Sequence, residues 1–279
     1  MTRWAYVNGD ILPIGQANVS ILDRGFLFAD GIYEVTAVVG GRLVDMPSHL
    51  ARLARSTGEI GLRLAETDDR IVAIHEELVA RNALDEGIVY LQATRGAADR
   101  DFLSPPDLAP TLVLFTQAKS LCGPSAGIAV KTVPDIRWAR RDIKSVALLA
   151  QVLAKREAAA AGCQEAWMVE GGLVTEGASS TAWIVTDDGT LVTRARSHAT
   201  LPGCTALALA ALAGETGLTI DYRAFSLTEA LAAREAFISA ASSFVQPVNT
   251  IDGRPIGTGA PGPIATRLRE LYIAFARQA

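Results

Sequence analysis

The stretch RRDIKS at residues 140–145 and the stretch VTEGASS at residues 174–180 place Lys144 and Glu176 32 positions apart. A lysine amine that loses its charge can form a Schiff base with a carbonyl carbon. A carboxylate can bind a ring nitrogen and keep that nitrogen protonated. A lysine and a carboxylate are the two groups that an enzyme with an aldehyde-bearing aromatic cofactor needs from its protein.

A third segment, DRGFLFADGIYE at residues 23–34, completes the pattern. Together the three segments resemble the fold-type IV pyridoxal phosphate enzymes, and most closely the D-amino acid aminotransferases. The resemblance spans nearly the whole chain. It implies an α+β fold with two lobes, a small α/β N-terminal lobe and a larger C-terminal lobe that contains a β-barrel-like sheet. It also implies pyridoxal 5'-phosphate as the cofactor.

The composition is that of a folded protein without a strong charge bias. Of the 279 residues, 49% are hydrophobic and 20% are charged, and the formal net charge is −4. This length suits two joined lobes better than one compact core. Charges of one sign do not form long runs, so we expect no nucleic-acid partner. No apolar run reaches the length that a membrane span needs, so we expect no membrane association.

The N-terminal residues, the cysteines and the histidines bear on the compartment and on metals. Residues 1–9 turn polar too early to form the apolar core of a signal peptide. The three cysteines are widely spaced and include no Cys-x-x-Cys pair, which favours reduced thiols in a cytoplasm over disulfides or zinc. The three histidines are scattered, so we expect no metal site.

We predict a small N-terminal domain over residues 1–116, an interdomain linker over 117–124 and a large cofactor-binding domain over 125–279. In the first domain, Asn8-Gly9 and Gly40-Gly41 each lie between two strand-like segments. Both pairs predict hairpins, because these residues tolerate positive φ. The order of helices and strands does not repeat a βαβ pattern, which argues against a doubly wound sheet.

Apolar periodicity predicts helices that begin near Pro47 and that cover about 69–84, 145–161, 206–214 and 263–277. The helix that follows the lysine is the most important of these for the site. We expect four apolar side chains to share one of its faces, and Gly162 to end it. These side chains are Val146, Leu149, Val152 and Leu153.

The resemblance gives Lys144 the catalytic role. In the family, this lysine forms the Schiff base and carries the proton between the substrate Cα and the cofactor C4′, first as a base and then as an acid. Glu176 would bind the pyridine nitrogen, so that the ring accepts electrons. An isolated lysine in a charged loop, or a glutamate before a turn, is ordinarily a surface residue. The matching settings of both residues favour the functional interpretation.

The other predicted cofactor-binding residues are Arg52, Leu201, Cys204, Thr205 and Ala241. LPGCT at residues 201–205 leads into a helix whose first N–H groups, with the Thr205 hydroxyl, can bind a phosphate. Thr205 also fits a plain N-cap. The resemblance makes Arg52 a phosphate-binding arginine and places Leu201 beside the ring. Around Ala241 the chain replaces a more hydroxyl-rich family loop, which leaves backbone N–H groups for the phosphate.

The predicted substrate-binding residues are Tyr33, His49, Arg100 and Ser180. In the family, the tyrosine phenol reaches the lysine, and the arginine pairs with the substrate α-carboxylate in a bidentate geometry that suits a guanidinium. The loop that carries this arginine reaches the active site of the partner subunit, which implies a homodimer. Ser180 is a candidate donor, and an ordinary turn role fits it equally well.

One departure from the family concerns the carboxylate. Phe102 stands where the best-known D-amino acid aminotransferases carry a histidine, so the carboxylate site at Arg100 loses one donor or uses another group such as His49.

The expected activity is transfer of the amino group from a D-amino acid, of the D-alanine or D-glutamate type, to a 2-oxo acid. A branched-chain L-aminotransferase, an (R)-amine transaminase and an aminodeoxychorismate lyase remain alternatives. A non-catalytic binding protein with the same fold is a further alternative. The joint presence of Lys144, Glu176, Thr205 and Arg52 disfavours it.

Overall fold

The structure is a computed structural model that describes residues 3–278, and the chain divides into two compact units. The first unit extends to Leu121 and also includes Ile143–Ala147. The second unit comprises Cys122–Asp142 and Leu148–Gln278. The short segment that carries Lys144 thus belongs to the first unit, whereas the predicted limits include it in the domain over residues 125–279.

Within residues 3–278, the first unit combines one antiparallel sheet with three α-helices and a short 3-10 helix at Ile14–Gln16. Its elements are β1 (Trp4–Val7), β2 (Asp10–Pro13), α1 (Arg24–Phe28), β3 (Gly31–Val39), β4 (Arg42–Leu43), α2 (Met46–Glu59), α3 (Asp68–Arg81), β5 (Glu86–Thr94) and β6 (Thr111–Ala118). The six strands lie in the order β2-β1-β6-β5-β3-β4. Both predicted hairpins are confirmed, because β1 pairs with β2, β3 pairs with β4, and both turns have positive φ.

The core of the first unit lies between this sheet and the helices α2 and α3. Leu53 of α2 and Ile74 of α3 are buried against Leu91 of β5 and Leu114 of β6. The helix α2 begins next to Pro47, as predicted, since proline is tolerated in the first turn of a helix. The Thr67 side chain caps α3 by accepting from the backbone N–H of Arg70.

The second unit is built on a mixed sheet with four helices. Its elements are β7 (Ile128–Pro134), α4 (Leu149–Ala160), β8 (Glu165–Glu170), β9 (Leu173–Gly177), β10 (Thr181–Val185), β11 (Leu191–Thr193), α5 (Cys204–Glu215), β12 (Ile220–Tyr222), β13 (Phe225–Ser226), α6 (Leu227–Ala232), β14 (Glu235–Ala240), β15 (Phe244–Ile251), β16 (Arg254–Pro255) and α7 (Pro263–Gln278). Nine strands follow the order β12-β11-β10-β14-β15-β7-β8-β9-β13, and β16 pairs with β15. The pairs β7–β8, β7–β15 and β11–β12 are parallel, and the others are antiparallel. Among residues 3–278, no helix has the length and apolarity of a membrane span.

The helix that follows Lys144 starts later than predicted. Residues 145–148 are not part of it: Ser145 forms an isolated bridge with Ile32, and the N–H of Val146 donates to the Gly31 carbonyl at 3.0 Å. These bonds to the start of β3 hold the segment extended, and α4 begins only at Leu149. Its buried residues are alanines, whereas the apolar residues Leu149, Val152 and Leu153 are exposed by 70%, 43% and 44%.

The helix α5 starts earlier than predicted, at Cys204. Gly203 is its N-cap residue, so Thr205 lies inside the first turn and is not the N-cap. The Thr205 hydroxyl and the Tyr272 phenol of α7 are 3.4 Å apart, which links the two helices inside the second unit. The first turn of α5 is therefore buried at both Cys204 and Thr205.

Candidate active site

Lys144 lies on a segment that the first unit fixes through the backbone on both sides. Its carbonyl accepts from the N–H of Tyr33 in β3 at 2.9 Å, and its N–H donates to the Ser56 hydroxyl of α2 at 3.3 Å. A strand and a helix of one unit thus set the position of the lysine backbone. The side chain is partly buried.

The Lys144 amine has an aromatic neighbour instead of a carboxylate. Its Nζ is 4.0 Å from the ring centroid of Tyr33, and within residues 3–278 it forms neither a hydrogen bond nor an ion pair. A cation over a ring is attracted by about 0.5–2 kcal/mol, which is enough to orient the side chain. Because no anion of the described residues pairs with this amine, it remains available for reaction.

Tyr33 belongs to a row of stacked rings on one face of the sheet. Its ring is 5.7 Å from that of Tyr90 on β5, and the Tyr90 ring is 4.9 Å from that of Phe115 on β6. Such pairs restrict ring motion and contribute about 0.5–1.5 kcal/mol each beyond area burial. The surface on which the Lys144 amine rests is therefore rigid.

The neighbouring strand residue, Glu34, points to the opposite face and binds two of the predicted site residues. Arg52 donates from Nε to Oε1 at 2.8 Å and from Nη2 to Oε2 at 2.7 Å. The Nδ1 of His49 is 3.0 Å from Oε2. Burial alone would raise the pKa of Glu34, but the charge and hydrogen bonds of Arg52 and the hydrogen bond to His49 hold it well below its usual range.

This arrangement changes the interpretation of Arg52 and His49. Arg52 is a buried residue held in a bidentate pair, whereas without the resemblance it would be taken for a solvated helix residue. His49 is buried and bound to the same carboxylate. Sequence reasoning missed Glu34 as their shared partner, although strand alternation from Tyr33 places it on the helix side of the sheet.

Arg100 lies on the exposed loop between β5 and β6 and contacts two aromatic rings. Its guanidinium carbon is 5.4 Å from the Phe28 centroid and 5.9 Å from the Phe102 centroid. Within residues 3–278 it forms no hydrogen bond or ion pair. Its donors therefore remain available for an anionic ligand.

Glu176 lies in β9 of the second unit, and its carboxylate binds Arg137 and a backbone N–H. Arg137 donates from Nη1 to Oε1 of Glu176, and its other edge is held by Asp135 through bonds of 3.0 Å and 2.7 Å. The N–H of Leu201 is 3.2 Å from both Glu176 oxygens. Sequence reasoning missed Arg137; its signal is the charged run of residues 135–144, which contains more arginines than a lysine site alone explains.

Burial has the largest effect on Glu176 and raises its pKa, while the charge and hydrogen bond of Arg137 and the Leu201 N–H oppose the rise. A further cationic donor beside a buried carboxylate of this kind would stabilise its ionised form. A protonated pyridine nitrogen is such a donor, so Glu176 fits the ring of pyridoxal phosphate by charge and by hydrogen-bonding capacity.

Ser180 and its neighbour Ser179 both donate to one buried carboxylate. Each hydroxyl is 3.0 Å from Oε2 of Glu165, and Lys155 Nζ is 3.0 Å from Oε1. Because a serine has one hydroxyl proton, Ser180 can offer a ligand its oxygen lone pairs or its backbone, but not a second donor. Glu165 is a further residue that the sequence did not reveal as part of this region.

An open cleft in the second unit is bordered by Glu176 and Leu201 together with Thr181, Thr200 and Gly203. Cys204 and Thr205 are buried in the adjoining first turn of α5. Ala241 lies in the turn between β14 and β15. In the part of the chain that the structure describes, no group of three or more histidine, cysteine or acidic residues could hold a metal ion.

Comparison with known proteins places these features in a family. The family model described as Amino-transferase class IV matches residues 31–251. The D-alanine aminotransferase of Staphylococcus aureus (strain MSSA476) is 37% identical over 270 residues, which are 95% of each chain. That of Bacillus licheniformis is 36% identical over 264 residues, which are 94% of this chain and 93% of the relative.

A solved structure agrees in fold. The branched-chain aminotransferase from the thermophilic archaeon Thermoproteus uzoniensis, solved with norvaline, has a TM-score of 0.89 at 23% identity, over 100% of this chain and 96% of that one. The expected α+β fold of the fold-type IV enzymes is thus confirmed. The chain belongs to the class IV amino-transferases, a family of enzymes that use pyridoxal 5'-phosphate.

Proposed function

We propose that this enzyme transfers the amino group of a D-amino acid, of the D-alanine or D-glutamate type, to a 2-oxo acid. One observation carries the proposal: D-alanine aminotransferases match the chain at 36–37% identity over nearly its whole length. The local settings of Lys144 and Glu176 support it, because the first offers an amine without an anionic partner among residues 3–278 and the second a buried carboxylate that gains from a cationic donor.

Lys144 would attach the cofactor covalently and move the substrate α-proton. When bound, pyridoxal phosphate supplies an electron sink that makes this proton acidic. The Nζ of Lys144 would take the proton from Cα and return it as a general acid. The contact with the Tyr33 ring would orient the amine. The hydrogen bonds of the Lys144 backbone to Tyr33 and Ser56 would fix the position of its main chain.

Glu176 would accept a hydrogen bond from the pyridine nitrogen and keep that nitrogen protonated, and Leu201 would pack beside the ring. Arg137 would keep the Glu176 carboxyl ionised between turnovers, since burial alone raises its pKa.

We assign the phosphate to Arg52, to the first turn of α5 at Cys204 and Thr205, and to the backbone at Ala241. Glu34 would hold the Arg52 guanidinium in a fixed orientation for this task.

Arg100 would bind the substrate carboxylate, with Tyr33 and Ser180 beside the substrate. The absence of a hydrogen-bonded partner for Arg100 within residues 3–278 supports this assignment, because all five of its N–H groups remain free to donate. His49, whose Nδ1 is 3.0 Å from Oε2 of Glu34, is a further residue that we assign to the substrate.

We also propose that the enzyme is a homodimer. The apolar face of α4 formed by Leu149, Val152 and Leu153 is largely exposed, and so are Phe102 and Leu103, by 79% and 83%. Apolar groups of this size commonly mark protein interfaces. A second copy of the chain is the partner that the family implies.

The three free cysteines favour a reducing cytoplasm as the compartment.

An amino-donor screen tests the proposed activity against its alternatives. The purified holoenzyme would be given D-alanine, L-leucine or (R)-1-phenylethylamine, each with 2-oxoglutarate, and glutamate formation would be measured. We expect D-alanine to be the best donor. Preference for L-leucine would indicate a branched-chain enzyme, preference for the amine an (R)-amine transaminase, and pyruvate release from aminodeoxychorismate a lyase. Each of these results would overturn the proposal.

A further inference from the structure

We propose that Arg24 is a positioning residue that fixes the Arg100 loop, and that it thereby sets the affinity for the substrate carboxylate. The inference rests on the proposed function in one respect, namely that Arg100 binds this carboxylate. The contacts that carry it lie entirely within the first unit.

Arg24 is the first residue of α1, is 4% exposed, and directs all three guanidinium nitrogens to oxygen atoms. Its Nη1 donates to the carbonyl of Asp101 at 2.6 Å, and its Nη2 donates to the carbonyl of Phe102 at 2.9 Å. Its Nε donates to Oδ2 of Asp30 at 2.9 Å. Two of its three bonds therefore hold the backbone directly after Arg100, 77 and 78 positions away in sequence.

The Arg100 side chain is held by the same cluster. The guanidinium carbons of Arg24 and Arg100 lie 4.8 Å and 5.4 Å from the centroid of the Phe28 ring. The Phe102 ring is 5.5 Å from the Phe28 ring and 5.9 Å from the Arg100 guanidinium. Arg24 thus fixes the loop backbone, and the two phenylalanines support the Arg100 side chain without using its donors.

This arrangement explains how the site can work with a phenylalanine at position 102. Phe102 offers no hydrogen bond, so Arg100 must supply the donors for a carboxylate alone. A bidentate pair requires the guanidinium plane to be well oriented. Orientation by Arg24 and the two rings would compensate for the missing second donor.

A purely structural role is the competing explanation, because a buried arginine bound to Asp30 stabilises the fold wherever it lies. Arg95 provides the matched control. It donates to the same Oδ2 of Asp30 at 2.8 Å, but its other bonds go to the carbonyls of Ile60 and Gly61 at 2.7 Å and 3.2 Å. Its loss removes an ion pair to the same carboxylate without releasing the carbonyls of the Arg100 loop.

The test compares Arg24→Met, Arg100→Met, the double variant and Arg95→Met as holoenzymes. For D-alanine, we expect Arg24→Met to raise KM about tenfold, the loss that follows when a charge-assisted hydrogen bond is weakened. The kcat should be nearly unchanged, because loss of binding that is equal in the ground and transition states raises KM alone. Arg100→Met should raise KM about 100-fold, as expected when a charged partner is lost. The double variant should be no worse than Arg100→Met, because residues that act through one another are not additive. Arg95→Met should keep the wild-type KM.

Backbone hydrogen exchange supplies a readout that does not depend on activity. Amides of residues 101–103 should exchange faster in Arg24→Met and at the wild-type rate in Arg95→Met. If Arg24→Met does not fold, Arg24→Lys serves instead, because lysine retains the charge beside Asp30 but cannot span two carbonyls. Additive losses in the double variant, an equal KM rise in Arg95→Met, or an unchanged loop exchange rate would each overturn the inference. A wild-type enzyme that does not act on D-alanine would refute the proposed function, while the exchange rates would still decide whether Arg24 holds the loop.

Discussion

Arg137 binds the carboxylate of Glu176 through Nη1, and both side chains are at least nine-tenths buried. Asp135 holds the opposite edge of the same guanidinium, so Arg137 can take few other orientations. A buried carboxylate without a cation would be costly, and among residues 3–278 this one has a single cationic side chain within hydrogen-bond distance. The Arg137–Glu176 pair therefore controls the charge on the residue that we assign to the pyridine nitrogen.

Replacement of Arg137 by Met should lower kcat for D-alanine by about tenfold at pH 7. Burial already raises the pKa of Glu176, and loss of the opposing positive charge would raise it further. A protonated carboxyl donates instead of accepting, so it cannot keep a ring nitrogen protonated. The activity lost should return partly as the pH rises, because the carboxyl then ionises. Steady-state kinetics from pH 6 to 9 measure this effect.

Arg223→Met is the control for the loss of an arginine in the second unit. Arg223 pairs with Asp221 and Glu229 at the surface, where such pairs contribute about 0–1 kcal/mol. This variant should retain wild-type kcat at every pH. An Arg137→Met enzyme with wild-type kcat and an unchanged pH profile would contradict the role that we assign to the pair.

Replacement of Glu34 by Gln should destabilise the protein and weaken phosphate binding. The change leaves the buried Arg52 guanidinium without its carboxylate, and the loss of one partner of a buried pair costs about 3–5 kcal/mol. We expect a lower thermal unfolding midpoint and a higher dissociation constant for pyridoxal phosphate, measured by absorbance titration.

Arg55→Gln is the control, because it changes another arginine of α2 and leaves the buried Arg52–Glu34 pair intact. Arg55 is 3.7 Å from Glu59, and both side chains are more than one-third exposed, so its loss should cost less than about 1 kcal/mol. Cofactor affinity should not change. Equal losses of stability in Glu34→Gln and Arg55→Gln would contradict our account of Glu34.

His75 should make the protein less stable as the pH falls from about 6.5 to 4. Burial lowers the pKa of His75 to about 4, although its hydrogen bond to the Ile71 carbonyl opposes this shift. Between the two pKa values, the unfolded chain binds a proton that the folded protein excludes. The free energy of unfolding therefore decreases as the pH falls, by about 3 kcal/mol over this interval.

The His75→Leu variant should show a flatter dependence of the thermal midpoint on pH between 7 and 4.5. The Nε2 of His75 is buried without a hydrogen-bond partner among the described residues. Leucine removes this unsatisfied polar atom from the core. The exposed residue His198 gives the control, and His198→Gln should keep the wild-type slope. Identical slopes for all three proteins would show that His75 is not the group responsible.

If the protein is the homodimer that we propose, replacement of Leu149 by Glu should convert it to a monomer. Leu149 is 70% exposed at the start of α4, and a charge there would be desolvated in an interface formed by the apolar face of this helix. Size-exclusion chromatography with light scattering gives the mass. Leu173→Glu places the same charge on a different exposed residue and should leave the dimer intact. A wild-type monomer, or a dimeric Leu149→Glu, would contradict this proposal.

Local sequence patterns were sufficient for the hairpins and for most helices. Asn8-Gly9 and Gly40-Gly41 predict their turns because both need positive φ, a property of the residues themselves. The helix after Lys144 could not be bounded in this way. Residues 145–148 have helical periodicity, but bonds to Gly31 and Ile32 hold them extended, and such tertiary contacts override propensity.

The site divides along the same line. Lys144 and Glu176 can be predicted as site residues because their immediate neighbours resemble a known pattern. The partners Glu34 for Arg52 and Arg137 for Glu176 lie 18 and 39 positions away, and no local rule connects them. Of the four apolar residues predicted to share a face of the helix after Lys144, Leu149, Val152 and Leu153 have helical spacing within α4, but Val146 lies before its start. The sequence could not show that this face is exposed.

Sodium borohydride reduction followed by peptide mapping tests the central claim most directly. The holoenzyme would be reduced, digested and analysed by mass spectrometry, with Lys144→Ala and Lys155→Ala treated in parallel. We predict one phosphopyridoxyl label, on the peptide that contains Lys144, retained in Lys155→Ala and lost in Lys144→Ala. A label on another amine, or a label that persists in Lys144→Ala, would contradict the account.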